Sequence, residues 1–354
     1  MLGARGTRWV NSGKRTASSG PVPLRARSLC SAVLEHHDLA VVGLGAMGSA
    51  TCFQAAERGL KVLGLDRHAP PHQMGSTHAE TRITRLAVGE GPQYLPFVAR
   101  SHEIWRMIER RTGVPLLHQT GGYIITPAQP KSAPAQVSGI EEIRWLDFVS
   151  ATERVATQAG IDFQRQTADQ VRARFANVLA TDDEVAGFEP TGGIVMCETA
   201  VALQLQLAQR MGATICTDTD VVGVTPRTAG GVEILTACGA VYTADKAVIA
   251  AGPWISDFFD PCDYAAAGLR VTRQVVYWFE VEHLDDWTNF PFLIWAGQDI
   301  SEYLGVFPVP PNVSNGTPAL KLMEEQFCNT LDSKTLAGNR LTFVCDTDCD
   351  AYYD

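Results

Sequence analysis

Residues 39–66, LAVVGLGAMGSATCFQAAERGLKVLGLD, admit few architectures. The apolar run at 39–42 reads as a buried parallel strand. Gly43, Gly45 and Gly48 follow as GxGxxG. Ala50, Cys52, Phe53, Ala56 and Leu60 fit the inner face of a helix, and Gly59 is a natural stop. A second strand at 62–65 ends on Asp66. Each glycine has a task in such a unit. Gly43 makes the tight turn, Gly45 lets backbone amides approach a pyrophosphate, and Gly48 lets helix and strand close together. The helix N-terminus offers free N–H groups and a partial positive charge to the phosphates. Asp66 stands where a carboxylate accepts from a ribose diol. The plainer alternative is a βαβ unit whose glycines serve packing only. The fingerprint by itself does not separate FAD from NAD.

A second marker, AVIAAGPW at 247–254, lies far downstream. A buried strand stops at Ala251-Gly252 and turns through Pro253 towards Trp254. Small residues at a strand end let a ligand approach the backbone. The sheet therefore returns to the cofactor after a long excursion. NAD dehydrogenases usually complete a compact second βαβαβ half instead, so the interleaved order favours FAD.

Between the markers, residues 67–91 form a long connection, and connections of that length are usually functional. It carries Arg82 and Arg85, three apart and hence on one face of any helical turn; a solvated surface face is the alternative. Helices are expected at 92–111, 148–159, 167–175 (Thr167 as N-cap) and 199–211, with Leu203, Leu207 and Met211 inward. His102 falls on the apolar stripe of the first, as a core or boundary histidine. Short strands are expected at 116–118, 123–126, 184–188, 193–196, 214–217, 221–224, 232–235 and 241–243. The alternating, aromatic run 269–281 opens a second, mostly antiparallel sheet, with further strands at 292–295, 302–307 and 319–322. Lys321 between two leucines is unusual for a strand buried on both faces, and a solvent-facing edge position is the ordinary reading.

The fold class is therefore α/β with an α+β substrate part: a Rossmann-like nucleotide-binding domain (38–91 and 192–265) interleaved with a mostly antiparallel-sheet substrate domain (92–191 and 266–327). Residues 1–37 are expected to be a disordered basic extension, and 328–354 a divergent tail. Net charge is −10, yet residues 1–34 hold six basic residues and no acid, leaving −16 on the remainder. So acidic a body is a poor nucleic-acid binder. The acid-free tail is like a mitochondrial presequence, or else an upstream extension without function or a misassigned start. The 9 cysteines show no CxxC or zinc spacing, which points to reduced cytosolic thiols and no metal site. The sequons at Asn312 and Asn315 lack a secretory signal beside them, and no apolar run is long enough for a membrane span.

VVGLGAMGSA with LGLDRHAPPH, then GSTHAETRITR and GEGPQYLP, and later AVIAAGPW, VTRQVVYWFE and ALKL, together resemble the monomeric sarcosine oxidase and N-methyltryptophan oxidase family. The PPH…GS…H…(D/E)TR pattern is far more specific than a lone GxGxxG, and the likeness covers about residues 38–327. It implies FAD, a small secondary amine substrate, O2 as acceptor, and a monomer in the cytoplasm. It implies that a hydride equivalent leaves the carbon next to nitrogen for the flavin, that the imine hydrolyses, and that O2 becomes hydrogen peroxide. The cofactor does the redox step while the protein positions and polarises.

By the same resemblance Arg82 lies over the flavin ring, Arg85 grips the substrate carboxylate, and Lys321 activates O2. A charged hydrogen bond to a carboxylate is worth roughly 1.5–3 kcal/mol. A cation about 4 Å from a forming oxygen anion contributes about 4 kcal/mol at an effective dielectric near 20, roughly a thousandfold in rate. That favours a site position over the edge reading for Lys321. The nucleotide would be held by Gly43, Gly45, Ala46, Met47, Gly48 and Asp66. Arg67, Ser76, Thr81 and Arg82 would join them from the connection, and Ala251, Gly252 and Trp254 from the second marker. His78 and Tyr94 occupy motif positions without an assigned role.

The sequence also departs from the pattern. Glu325 stands where the family has a pocket histidine, and it could pair with Lys321. The family's Tyr-Gly-Phe-Pro is Tyr303-Leu-Gly-Val-Phe-Pro308 here, so the active-site tyrosine is not placed. Cys328, Cys345 and Cys349 lack the neighbours of the family's flavin-linking cysteine. The Gly-rich closing segment, with its second carboxylate clamp, is absent, which suggests a truncated or frame-altered end. Two rivals follow: an incomplete flavoprotein that folds poorly or holds FAD weakly without turnover, and an NAD-dependent dehydrogenase.

Overall fold

A computed structural model describes residues 35–129, 148–260, 262–263, 267–269, 271–281, 283–287, 290–296, 303–308 and 319–324. The basic extension up to residue 34, both sequons, Glu325 and Cys328, Cys345 and Cys349 lie outside the described residues.

The strands in chain order are β1 (His36–Val42), β2 (Val62–Leu65), β3 (Thr81–Thr84), β4 (Leu117–His118), β5 (Gly122–Pro127), β6 (Gln164–Thr167), β7 (Glu184–Glu189) and β8 (Gly193–Met196). They continue with β9 (Thr214–Cys216), β10 (Val221–Pro226), β11 (Val232–Thr236), β12 (Val241–Ile249), β13 (Val275–Glu280), β14 (Phe292–Ala296), β15 (Tyr303–Phe307) and β16 (Ala319–Glu324). The helices are α1 (Ala46–Glu57), α2 (Leu95–Thr112), α3 (Phe148–Ala159), α4 (Ala168–Arg174) and α5 (Cys197–Arg210).

The nucleotide sheet has the order β10-β11-β12-β1-β2-β9. Strands β12, β1, β2 and β9 are parallel, and β10 and β11 run antiparallel at the edge. Strand β1 shows why its apolar run lacks alternation: both faces are covered. Val41 packs with Cys52 and Ala56 of α1 and Val201 and Leu205 of α5. Ala40 and Val42 pack the other way, with Leu63, Leu65, Val221 and Ile234. Burying each such side chain is worth roughly 1.5–3 kcal/mol. Because β1 is flanked by β2 on one side and β12 on the other, the crevice at its carboxyl end is a topological switch point, where open α/β sheets bind ligands.

The second sheet, β13-β16-β15-β14-β5-β7-β6, is antiparallel except for the β14–β5 pair. Its core holds Tyr123, Ile125, Phe188, Phe290 and Leu293. A three-stranded sheet, β3-β8-β4, completes the described sheets, with β3 in contact with β15 of the second sheet and with α5.

Several elements differ from the sequence expectations. Strand β1 starts at His36, inside the expected disordered extension, because its register continues onto Thr243 and Ala244. The long connection contains β3, too short and polar to show a period, whose Thr81 and Thr84 are buried. The strands expected at 241–243 and 247–250 are one strand, β12: Asp245 and Lys246 interrupt the hydropathy but lie exposed on an unbroken ladder. Met211 lies beyond the end of α5 and is exposed. Strand β6 was not foreseen, and its residues Gln164 and Arg165 are exposed.

Candidate active site

The glycine turn is built as its spacing requires. Gly43 has φ +87°, and a Cβ there would come 2.5 Å from Ala250 O. A Cβ on Gly48 would stand 1.8 Å from Gly43 O, so α1 approaches the turn as only glycine permits. Gly45 faces open space, with Thr77 Oγ1 its nearest neighbour at 3.5 Å. No side chain of the Gly45 N-cap closes α1. Ala46 N–H donates to Thr77 Oγ1 at 3.1 Å, and Met47 is 76% exposed. At the neighbouring strand end Ala250 N–H donates to Val42 O, and Ala251 then caps a 3₁₀ helix that starts at Gly252 and carries Trp254. Both sequence markers thus meet at one sheet end.

Asp66 is buried and heavily engaged. Oδ2 accepts from Leu44 N–H at 2.7 Å, and Oδ1 from His68 N–H at 2.8 Å. His72 Nε2 lies 3.4 Å from Oδ1. Burial alone would push its pKa up, but these hydrogen bonds outweigh it and hold the carboxyl below its usual range. An ionised carboxylate has about four acceptor sites, so room for one further donor remains. Arg67 turns outward to Asp220, with Nε donating at 2.7 Å.

The centre of the site is the corner at residues 76–81. All six carbonyls from Ser76 to Thr81 accept hydrogen bonds from three side chains or their backbone. Arg82 Nη2 donates to Ser76 O and to His78 O, and Nη1 to Thr81 O at 2.7 Å. The Cys197 thiol is shared between Thr77 O and Glu80 O, and Cys197 N–H also reaches Glu80 O. Lys321 Nζ donates to Ala79 O at 3.0 Å and to Thr81 O at 2.7 Å. Ala79 and Glu80 have φ +89° and +57°, a left-handed region that costs such residues of order 1–3 kcal/mol each. On the outer side Glu198 Oε1 accepts from Ala79 N–H, Glu80 N–H and His78 Nδ1.

Lys321 is only 4% exposed. Its strand β16 lies between β13 and β15, so the solvent-edge reading is overturned by its sheet neighbours. The ammonium sits 3.8 Å from the centre of the Phe307 ring on the adjacent strand. Burial, followed by the charge of Arg82, pulls its pKa down to about 7. Arg82 and Lys321 therefore place two cationic groups on one carbonyl, Thr81 O.

Arg82 and Arg85 do not share a face. Residues 81–84 form a strand, and the two side chains diverge. Arg85 Nη2 lies 2.7 Å from both carboxylate oxygens of Glu90, and its guanidinium stacks 5.3 Å from the Phe148 ring. Among the described residues, Arg85 Nε is buried with no hydrogen-bond partner. A buried donor so placed suits an incoming acceptor. Tyr94, in the 3₁₀ turn before α2, is half-exposed. His102 bonds Thr84 through Nε2 at 2.8 Å and serves the packing of α2 on β3.

Sequence reasoning missed Glu198, Cys197, Thr77, His72 and Glu90. Glu198 lies in the first turn of α5, where an acid is common on any helix, so no local signal set it apart.

Residues 38–312 match the family model described as FAD dependent oxidoreductase. Monomeric sarcosine oxidase of Streptomyces avermitilis is 34% identical over 247 residues, covering 70% of this chain and 59% of that protein. The chain thus spans about three fifths of the length of this relative. Monomeric sarcosine oxidase of Bacillus sp. (strain B-0618) is 32% identical over 306 residues, covering 85% of this chain and 71% of that one. N-methyl-L-tryptophan oxidase of Yersinia pestis (strain Pestoides F) is 32% identical over 221 residues, covering 62% and 55%. The solved structure of NikD, an unusual amino acid oxidase essential for nikkomycin biosynthesis, superposes with a TM-score of 0.64 at 24% identity, covering 84% of this chain and 72% of that one. An FAD-dependent family model removes the NAD reading left open by the glycines alone. With the glycine turn, the returning strand and the second sheet in these positions, the chain belongs to the FAD dependent oxidoreductase family.

Proposed function

We propose that this protein oxidises secondary amino acids, N-methyl amino acids foremost, with O2 as acceptor. The observation that carries the reading is Lys321: a buried cation on an inner strand of the second sheet, tied to the corner whose Thr77 stands over the glycine turn. The overall change is amine, O2 and water to dealkylated amine, formaldehyde and hydrogen peroxide. Bound FAD would supply the two-electron acceptor. The start of α1 at Gly45, Ala46, Met47 and Gly48, where Thr77 takes the Ala46 N–H, fits its pyrophosphate, and the buried Asp66 fits a ribose. Ser76, Thr81 and Arg82, with Ala251, Gly252 and Trp254, would border the rest.

The side chains then have separate work. Arg85, with its unpartnered Nε, would orient the substrate carboxylate, in competition with Glu90. Arg82 is fixed by three corner carbonyls and would present positive charge from one direction. Lys321 uses two N–H groups on the corner and keeps one for an oxygen species; with a pKa near 7 it can hold or release a proton at Nζ. A monomer acting in the cytoplasm accords with the relatives named monomeric and with the unbridged buried thiols Cys52 and Cys197. No described helix is long and apolar enough to cross a membrane.

The test is a visible spectrum of the purified full chain, followed by peroxide and formaldehyde assays with sarcosine, N-methyltryptophan and cyclic secondary amino acids. Flavin absorbance and stoichiometric peroxide with at least one of them are expected. Flavin retained without peroxide from any would leave the rival flavoprotein without turnover. A colourless chain that takes up no added FAD would end the proposal.

A further inference from the structure

The corner at 78–80 is gripped from two sides, and the two grips differ in kind. Lys321 holds its inner side through Ala79 O and Thr81 O. Glu198 holds its outer side, with one oxygen, Oε1, taking Ala79 N–H at 2.9 Å, Glu80 N–H at 3.2 Å and His78 Nδ1 at 3.0 Å. Two successive non-glycine residues with positive φ bring their N–H groups together in this way, as a concave nest suited to an anion. Without an anion there, nothing on the outer side offsets the left-handed backbone, and Ala79 O, which shares its peptide plane with Glu80 N–H, loses the hold on its far side, while Thr81 O stays bonded to Arg82. Glu198 itself is fixed by its place in the first turn of α5, whose neighbour Cys197 bonds the same corner.

We propose that Glu198 is a positioning residue for Lys321: by gathering the N–H groups of the 78–80 corner it sets the direction of Ala79 O, one of the two carbonyls that hold the ammonium. The charged and titratable groups facing Lys321 are Arg82 on β3, Glu80 on the corner, and Cys197 and Glu198 on α5. Arg82 disfavours the ammonium; Glu80, Cys197 and Glu198 favour it. Glu198 thus acts on Lys321 both through charge and through the corner, and the two routes separate experimentally. The inference rests on the proposed oxidase reading only for its bearing on O2; the geometry stands without it.

The test uses the full chain labelled with 13C at lysine Cε, the Lys321 resonance being assigned by its loss in Lys321→Met. Its titration midpoint is compared in Glu198→Asp, which keeps the charge and shortens the reach, and Glu198→Gln, which keeps the reach and removes the charge. Glu198→Asp is expected to lower the midpoint by about one unit, since Ala79 O turns away from the ammonium, and Glu198→Gln by roughly half of that or less. Equal midpoints in all three proteins, or a larger shift in Glu198→Gln than in Glu198→Asp, would overturn the positioning role. A separate failure, peroxide formation unchanged in Lys321→Met, would remove the oxidase role of Lys321 and leave the positioning result standing.

Discussion

Lys321, as a buried ammonium, is a cost to the fold. Its pKa is drawn from 10.5 down to about 7 by burial and by Arg82. The folded state therefore binds this proton less well than the unfolded chain. Below pH 7 both states are protonated and the full penalty of the buried ammonium is present. Between about 7 and 10.5 the folded protein sheds the proton while the unfolded chain keeps it, so stability rises with pH. Lys321→Met should stabilise the cofactor-free chain by an amount on the order of a few kcal/mol at pH 6, and by much less at pH 10. The substitution leaves no corner carbonyl orphaned, because Ala79 O still accepts Thr81 N–H and Thr81 O still accepts Arg82. Urea denaturation of both chains at the two pH values measures it; a destabilised Lys321→Met at pH 6 would count against the burial cost. The family pattern singled out Lys321 in the sequence, but its burial was not legible there. Alternation reports which face a residue takes, whereas neighbours β13 and β15, which close over it, come from elsewhere in the chain. The same holds for Glu198, which reaches the corner at His78, Ala79 and Glu80 from 118 to 120 residues away, a contact that no local spacing reveals.

At the scale of elements, the strand–glycine–helix unit makes fold and binding separable. Gly48 closes α1 onto the turn, so Gly48→Ala drives a Cβ into Gly43 O. Neither partner is a flexible side-chain end, and backbone must move. Gly45 has φ −67° and only Thr77 Oγ1 nearby, at an ordinary contact distance. Gly45→Ala should therefore leave the thermal midpoint of the cofactor-free chain within a degree or two and weaken FAD binding by about tenfold or more, because its methyl enters the space a pyrophosphate needs. Gly48→Ala should lower the midpoint sharply, with or without flavin. Calorimetry and flavin fluorescence titration read the two effects separately; normal FAD affinity in Gly45→Ala would move the phosphate site away from this turn. Elements with a strong local cause were readable from sequence. The bounds of β2 and the end of α3 agree with their apolar pattern, and Thr167 caps α4 in a full capping box with Gln170. Strands β3 and β6 were not readable, since each is four residues long and owes its conformation to a partner strand.

At the scale of the whole molecule, burial of weak bases gives stability a common slope. His37, His68, His102 and His118 all have pKa values lowered, in each case first by burial. Each binds a proton less readily in the folded state, so each removes stability as pH falls below its unfolded value near 6.5. Lys321 slopes the same way above neutrality. Self-repulsion of the acidic body opposes this at high pH, but at 0.15 M salt it is screened beyond about 8 Å. The cofactor-free chain should therefore gain stability from pH 5 to about pH 9, instead of peaking near its pI of 5.3. His37 is the sharpest contributor to test. It is 2% exposed, and among the described residues neither ring nitrogen has a hydrogen-bond partner at full bonding geometry. Each unsatisfied buried group costs about 1–3 kcal/mol. His37→Leu should raise the urea midpoint at pH 7 and flatten its decline between pH 7 and 5, while the slope above pH 7, which belongs to Lys321, stays. A decline unchanged in His37→Leu would shift the acid sensitivity to the other three histidines. A stability maximum near the pI would contradict the whole scheme, since it would mean that surface charge, and not the buried bases at the root of β1 and beneath the second sheet, governs how this fold responds to acid.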